Sequence, residues 1–378
     1  MLANDALLVS FFVGDGQVVA IAVDKTTAKL VVLPSSPDVL GKNVRAFRKG
    51  VLLDTRRSPA EVKEAAARVY KDVLGPLDDL VKKHKDLVIL PHGELSALPF
   101  EALVDDSGKF LVETHELSYG LSATLGAELA KRERPATGRK AFVAMGDPVY
   151  DWSSFKTGKA EGAALAASRG LTLWSEAMTV TGGGEDKTPK ATGLTRLPGT
   201  ANEVRAIAKL FGADAEVYLR DQASEENVKA GKLGGHRIVH IASHGLLESH
   251  YQALALTLNP DGKEDGFLLH SEIPELKLDA DLVVLSACQT GNTRLASGSE
   301  PIAGLALALR AAGARSVVVS LWSVDDEATA KLMTEFYRPL VKEGASYGKS
   351  LAAAKRALIG RAETAHPYFW APFVLIGD

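Results

Sequence analysis

Cys288 is the single cysteine of this 378-residue chain. It follows LVVLSA (282–287), an apolar run of the kind that forms a buried central strand. His244 follows a second such run, RIVHIAS (237–243). In open α/β sheets, functional groups gather at the carboxyl ends of strands. The chain between the two residues is long enough for one strand–helix crossover. If the two strands are neighbours, a thiol and an imidazole emerge at one edge, as a Cys–His nucleophile pair requires. Gly245 leaves the N–H after the histidine unshielded by a side chain. Together with the Cys288 N–H it could hold an oxyanion. Gly291 lets the chain turn sharply beyond the cysteine.

An ordinary reading competes with this one. A cysteine closing a buried strand is most often a small core hydrophobe. What lifts the pair above that reading is the same arrangement at both residues, each with a glycine close behind. The other histidines fit less well. His92-Gly93 also follows a short strand, but no cysteine in the N-terminal half can pair with it. His240 lies inside its strand and reads as a packed sheet residue. His250, His270 and His366 lack metal-ligand spacing, and one cysteine cannot build a Cys-rich zinc site. There is no G-x-x-x-x-G-K-[ST] phosphate loop. No metal and no cofactor is expected.

The elements that must position these groups follow an α/β order. LLVSFFV (7–13), Gly14-Asp15-Gly16 and VVAIAV (18–23) read as a hairpin. Helical stretches follow near 37–57 and 59–83, with Pro59 in a first turn. DLVIL (86–90) is a short buried strand. A second α/β unit begins near Lys140 with AFVAMG. Residues 151–198 are poorly patterned and read as a long mobile insertion. Thr200 to Glu203 reads as a capping box opening the helix NEVRAIAKLF, which Gly212 ends; Ser224 caps the next helix. PIAGLALALRAAG, SVVVSLW, two amphipathic helices and WAPFVLIG complete the chain. Near-continuous apolar strands alternating with helices indicate a parallel sheet covered on both faces.

Composition bounds the partners. Lys+Arg number 44 against 47 Asp+Glu, a net charge of −3, which argues against a dedicated nucleic-acid binder. Hydrophobic residues at 46% exclude intrinsic disorder. No run of about 18 uncharged apolar residues exists to cross a membrane. The N-terminal apolar run lacks a basic region before it and carries Asp5, so it reads as a strand, not a signal peptide. One cysteine fits a reducing cytoplasm.

Several segments resemble the CHAT family of caspase-like proteins: VHIASHG (239–245), GFLLHSEIPEL (266–276), LVVLSACQTG (282–291), PIAGLALALRAAGARSVVVSLWSVDDEAT (301–329) and YFWAPFVLIGD (368–378). LVILPHGELSALPFEAL (87–103) extends the likeness into the N-terminal half. The resemblance implies an α/β fold, the caspase-like three-layer sandwich of separase and other clan CD cysteine peptidases. It also implies a pseudo-duplicated caspase, with an inactive N-terminal subdomain (1–138) and a catalytic C-terminal one (139–378). His244 and Cys288 stand at the positions of the family's dyad. Many relatives carry tetratricopeptide repeats ahead of this domain; none is read here.

The implied activity is that of a cysteine endopeptidase cutting a specific protein substrate, under a protein activator, in bacterial defence or cell-death signalling. Neither nucleic acid nor membrane is an expected partner. Separase has an acidic loop after a similar Leu-Trp and cleaves after arginine, so Asp326 or Asp325 would pair with a basic P1 side chain. Ser286, two residues before the nucleophile and on the same side of its strand, would line that pocket. Asp147, in the loop after AFVAMG, is a further rim candidate. The competing use of both acids after SVVVSLW is to stabilise a helix N-terminus. Self-cleavage within 151–198 would fall at Arg169 or Lys187. The rival classes are a caspase-like scaffold or interaction module without catalysis, and an acyltransferase or amidohydrolase with the same nucleophile.

Overall fold

The computed structural model describes residues 5–131, 138–159, 194–247, 252–258, 262–286, 288–289 and 301–377. Most of the 151–198 stretch, with Arg169 and Lys187, lies outside the described residues, as do His250 and Gly291. In chain order the main elements begin with β1 (Ala6–Val13), β2 (Val18–Val23), β3 (Ala28–Val32), α1 (Pro37–Phe47), α2 (Pro59–Val73), β4 (Asp86–Leu90), β5 (Glu116–Tyr119) and β6 (Lys140–Pro148). Next come α3 (Pro198–Phe211), β7 (Ala215–Arg220), α4 (Glu225–Lys229), β8 (His236–Ala242), β9 (His244–Leu247), β10 (Gln252–Ala255) and β11 (Phe267–Leu269). The last are β12 (Leu282–Leu285), β13 (Cys288–Gln289), α5 (Pro301–Ala311), β14 (Ser316–Ser320), α6 (Asp326–Glu343), α7 (Tyr347–Ile359) and β15 (Phe373–Ile376). No helix among the described residues is long and apolar enough to cross a membrane.

The chain divides into two compact units. One combines the residues up to 132 with 331–378; the other takes in 133–296 and 301–330. The C-terminal stretch packs with the first unit because β15 pairs in parallel with β5.

In the first unit the strand order is β3-β2-β1-β4-β5-β15. The hairpin signal at Asp15-Gly16 gives an antiparallel β1–β2 pair, closed by Gly14 N donating to Gln17 O at 3.0 Å. Ser58 and Glu61 form a reciprocal capping box on α2, with Pro59 in its first turn. The expected helix over 59–83 stops at Val73. Gly75-Pro76 interrupts it, and the chain resumes as the short helix Asp78–Val81.

In the second unit the order β14-β12-β8-β6-β7 is wholly parallel. Val283 faces Val239 on one side and Val317 on the other, all buried, so the central strands are apolar on both faces. A second sheet, β11-β10-β9-β13, is the element the sequence did not suggest. His244 and Cys288 were expected in loops at strand ends; each instead opens a strand of this sheet. Tyr150, Leu194, Leu246, Ala253, Ala255, Leu258 and Phe267 form a small apolar core against it.

The capping box expected at Thr200 is not formed. Helix α3 opens earlier, at Pro198, where a missing N–H costs nothing. Thr200 Oγ1 instead donates to Leu197 O (2.7 Å) and accepts from Asp147 N (2.8 Å), and Glu203 turns into the core to meet His240. Gly212 ends α3 with φ 63°, and Ser224 Oγ accepts from Asn227 N at the start of α4, as read from sequence.

Candidate active site

Strands β8 and β12 are parallel neighbours, paired from Leu282 opposite Ile238 to Leu285 opposite Ile241. Ser286 N donates to Ile241 O (2.9 Å) and carries that pairing one residue further. Both chains then leave the main sheet together and pair again in the second sheet. There β13 lies parallel to β9, with Cys288 in register with His244 and Gln289 with Gly245. Residues in register on neighbouring strands share one face of the pleat, and the strands lie about 4.8 Å apart. The condition set by the sequence, that the two strands be neighbours, is therefore met twice over.

The imidazole of His244 is buried, with 5% of the residue exposed. Its Nε2 lies 2.7 Å from the carbonyl oxygen of Thr195. A carbonyl only accepts, so Nε2 carries the proton and Nδ1 is the basic nitrogen. Nδ1 is buried and has no hydrogen-bond partner among the described residues. Burial lowers the His244 pKa to about 4, opposed by the bond to Thr195, so the ring is neutral at pH 7. Tyr150 packs against it, with ring centroids 5.3 Å apart. The Tyr150 hydroxyl donates to Ala255 O (3.0 Å) and receives His244 N (3.4 Å), tying the start of β9 to β10.

Neither Thr195 nor Tyr150 was found from sequence. A backbone carbonyl leaves no trace in residue type, and a lone tyrosine just before a poorly patterned stretch carries no signal of its own. The far edge of the second sheet is held by an ion cluster. Lys229 Nζ reaches Glu225 (2.8 Å), Glu264 (2.5 Å) and Glu272 (2.7 Å), and Glu225 also accepts from Gly266 N (2.8 Å). These three carboxylates converge closely enough to hold a metal ion. The Lys229 ammonium already sits among them and offsets one of the three charges.

The remaining candidates separate. Ser286 is buried, and its Oγ has no partner among the described residues. Asp325 is exposed and accepts from Glu327 N (3.0 Å) and Ala328 N (3.1 Å), so it caps α6, the competing role read for it. Asp326 is half-buried against α3, where a Cβ on Gly199 would come within 2.9 Å of the Asp326 Cβ. No cation lies within ion-pair distance of its carboxylate among the described residues. Burial raises its pKa, and Glu203 and Asp325 add to the effect. Asp147 is 1% exposed and already neutralised by Arg196 and Arg220, so it is no open rim for a substrate cation. His240 donates or accepts at 2.9 Å with buried Glu203, a core pair as its strand position suggested.

The family model described as "CHAT domain" matches residues 63–378. Tetratricopeptide repeat protein 28 of Mus musculus is 26% identical over 48% of this chain, and that of Homo sapiens 23% identical over 91%. The chain spans only 9% and 14% of those two proteins. Among solved structures, separase of Saccharomyces cerevisiae, in its complex with securin, superposes with a TM-score of 0.57 at 9% identity. The match covers 99% of this chain and 30% of the separase chain. The fold is therefore the caspase-like α/β fold of separase.

Proposed function

Starting from the membership of this chain in the CHAT domain family, we propose that it is a cysteine endopeptidase acting through His244 and Cys288. The observation that carries this is the register of the two residues in the second sheet. A thiol and an imidazole with one unengaged nitrogen are the parts that nucleophilic acyl transfer needs.

In this mechanism His244 Nδ1 takes the Cys288 proton, and the sulfur adds to the scissile carbonyl carbon. The developing oxyanion is held by the N–H groups of Gly245 and Cys288. The imidazolium then protonates the departing amine, and water hydrolyses the acyl-enzyme. The Thr195 carbonyl orients the ring throughout and stabilises its charged form. Asp326 supplies the negative charge for a basic P1 side chain. Its support is a half-buried carboxylate without a counter-ion among the described residues, a group whose desolvation a guanidinium or ammonium would offset. Ser286 Oγ, buried and without a partner among the described residues, is a second polar group for the same pocket.

The test uses fluorogenic peptide pools with fixed P1 residues, together with iodoacetamide labelling of the sole cysteine. The wild type is expected to cleave after arginine or lysine and to label faster than a free thiol. Cys288→Ala and His244→Ala are expected to abolish cleavage. Cleavage retained in both variants would end the proposal. Ordinary thiol reactivity with no cleavage would leave an interaction module.

A further inference from the structure

The carbonyl that holds His244 is next to a residue held by an ion cluster on a buried carboxylate, Asp147, that peptide hydrolysis does not use. Arg196, the residue after Thr195, grips Asp147 with both arms of its guanidinium: Nε to Oδ1 at 2.9 Å and Nη2 to Oδ2 at 2.7 Å. Arg220 adds Nη1 to the same carboxylate (3.0 Å) and to the Asp147 carbonyl (3.2 Å). The next residue, Leu197, is fixed by Thr200 Oγ1, which also receives the Asp147 N–H. Residues 196 and 197 are thus bound from two directions, both converging on Asp147.

The backbone at this cluster is unusual. Among the described residues only Asp147 (φ 49°), Arg220 (φ 57°) and Asp279 are non-glycine residues with positive φ. Two of these three are bonded to each other here. Such conformations persist only where surrounding contacts over-determine them, and they gather at functional sites. Charge balance does not explain the arrangement, since Arg220 alone neutralises one carboxylate. What Arg196 adds is position. A planar fork on a carboxylate fixes direction as well as distance, and it does so one residue from the carbonyl on His244 Nε2.

We propose that Asp147 and Arg196 form a latch that fixes the Thr195 carbonyl against His244, making both of them positioning residues for the imidazole. Its kinetic consequence rests on the peptidase reading; its structural consequence does not. The tautomer that keeps Nδ1 free is set by the bond at Nε2. Releasing residue 196 lets Thr195 move, and the ring loses both its orientation and the preference for a proton on Nε2. Small misplacements of this kind cost up to about a hundredfold in rate.

The experiment uses the full chain labelled with 15N-histidine, with the His244 signals assigned by His244→Gln. Arg196→Met and Arg196→Lys are compared with wild type by thermal melting, imidazole 15N–1H correlation, and kcat and KM on the peptide pools. The wild-type ring is expected as the neutral Nε2–H form. Arg196→Met, which leaves Arg220 on Asp147, is expected to shift those signals toward a tautomer mixture. It should lower kcat at least about tenfold with KM changed less than about threefold. Arg196→Lys keeps the charge without the fork and should recover only part of this. A folded Arg196→Met with wild-type His244 signals overturns the latch. Should the methionine variant not fold, Arg196→Lys decides on the same signals. If the wild type cleaves nothing, the peptidase reading falls while the His244 spectra still decide the latch.

Discussion

His92 in the first unit and His244 in the second both follow a parallel strand and precede a glycine, yet their surroundings differ in every respect that matters for chemistry. His92 is exposed. Its Nδ1 accepts from Val13 N (3.0 Å), and its ring stacks on Phe12, itself 60% exposed, at 5.4 Å. His244 is buried, its bond goes to a carbonyl through Nε2, and its basic nitrogen has no partner among the described residues. A cysteine lies in register beside it. The same dipeptide is a hairpin brace in one place and a candidate base in the other. What changes the role is which nitrogen the backbone engages: a bond from an N–H occupies the ring's lone pair, whereas a bond to a carbonyl fixes the proton and leaves the lone pair available.

The sharpest way to break this comparison is to remove each ring. His244→Ala should lower Cys288 alkylation and peptide cleavage by about 10²–10⁴-fold, the usual contribution of a general base. His92→Ala should change neither by more than about twofold. Equal losses in both variants, read from alkylation rates on folded protein, would erase the distinction.

A second contrast lies between the ion clusters built on the buried carboxylates Glu101 and Asp147. In the first unit Lys355 Nζ meets Glu101 (2.7 Å), whose other oxygen receives the Tyr119 hydroxyl (2.5 Å), with all three groups buried. This cluster has one cation for one carboxylate, and no strained backbone accompanies it. Lys355→Met strands the Glu101 charge and should destabilise the chain by about 3–5 kcal/mol in urea unfolding, without selectively altering His244. In the second unit, Arg196→Met still leaves Asp147 one guanidinium, so its effect should fall on the imidazole more than on stability.

The buried imidazole also predicts a pH dependence. Its pKa is lowered to about 4, so the unfolded chain takes up a proton near the ordinary value of 6.5 that the folded ring refuses. Stability from this site is therefore complete above about pH 6.5 and is lost as pH falls toward 4, by about 3 kcal/mol. Urea unfolding of wild type and His244→Gln across that range isolates the term as the difference in slope. A parallel pair of curves would contradict it.

The smallest effects concern support and capping. Tyr150→Phe removes the hydroxyl that joins His244 N to Ala255 O and should cost about 1 kcal/mol in thermal unfolding. Asp325→Ala removes the cap of α6 and should cost a similar ~1 kcal/mol. Cleavage should be unaffected in Asp325→Ala, whereas Asp326→Asn should lose the basic P1 preference. A loss in the first variant equal to that in the second would reassign the specificity role.

Much was legible from residue order alone. Apolar runs, a hairpin dipeptide, Pro59 in a first turn and the helix cap at Ser224 located the strands and several helix starts, because those signals act over a few residues. The lone cysteine and the His-Gly pair marked the candidate site through residue type. Tertiary structure alone decided the rest. Thr200 left its expected capping role because Asp147 N, brought near by folding, takes its Oγ1 as acceptor while that hydroxyl donates to the local Leu197 O. Asp147 turned from a rim candidate into a buried counter-ion because Arg196 and Arg220 converge on it from distant parts of the chain. The second sheet, the Thr195 carbonyl and the open Nδ1 of His244 exist only where separate strands leave the main sheet side by side. Backbone groups carry no residue code, and their pairing is a property of contacts between segments far apart in sequence.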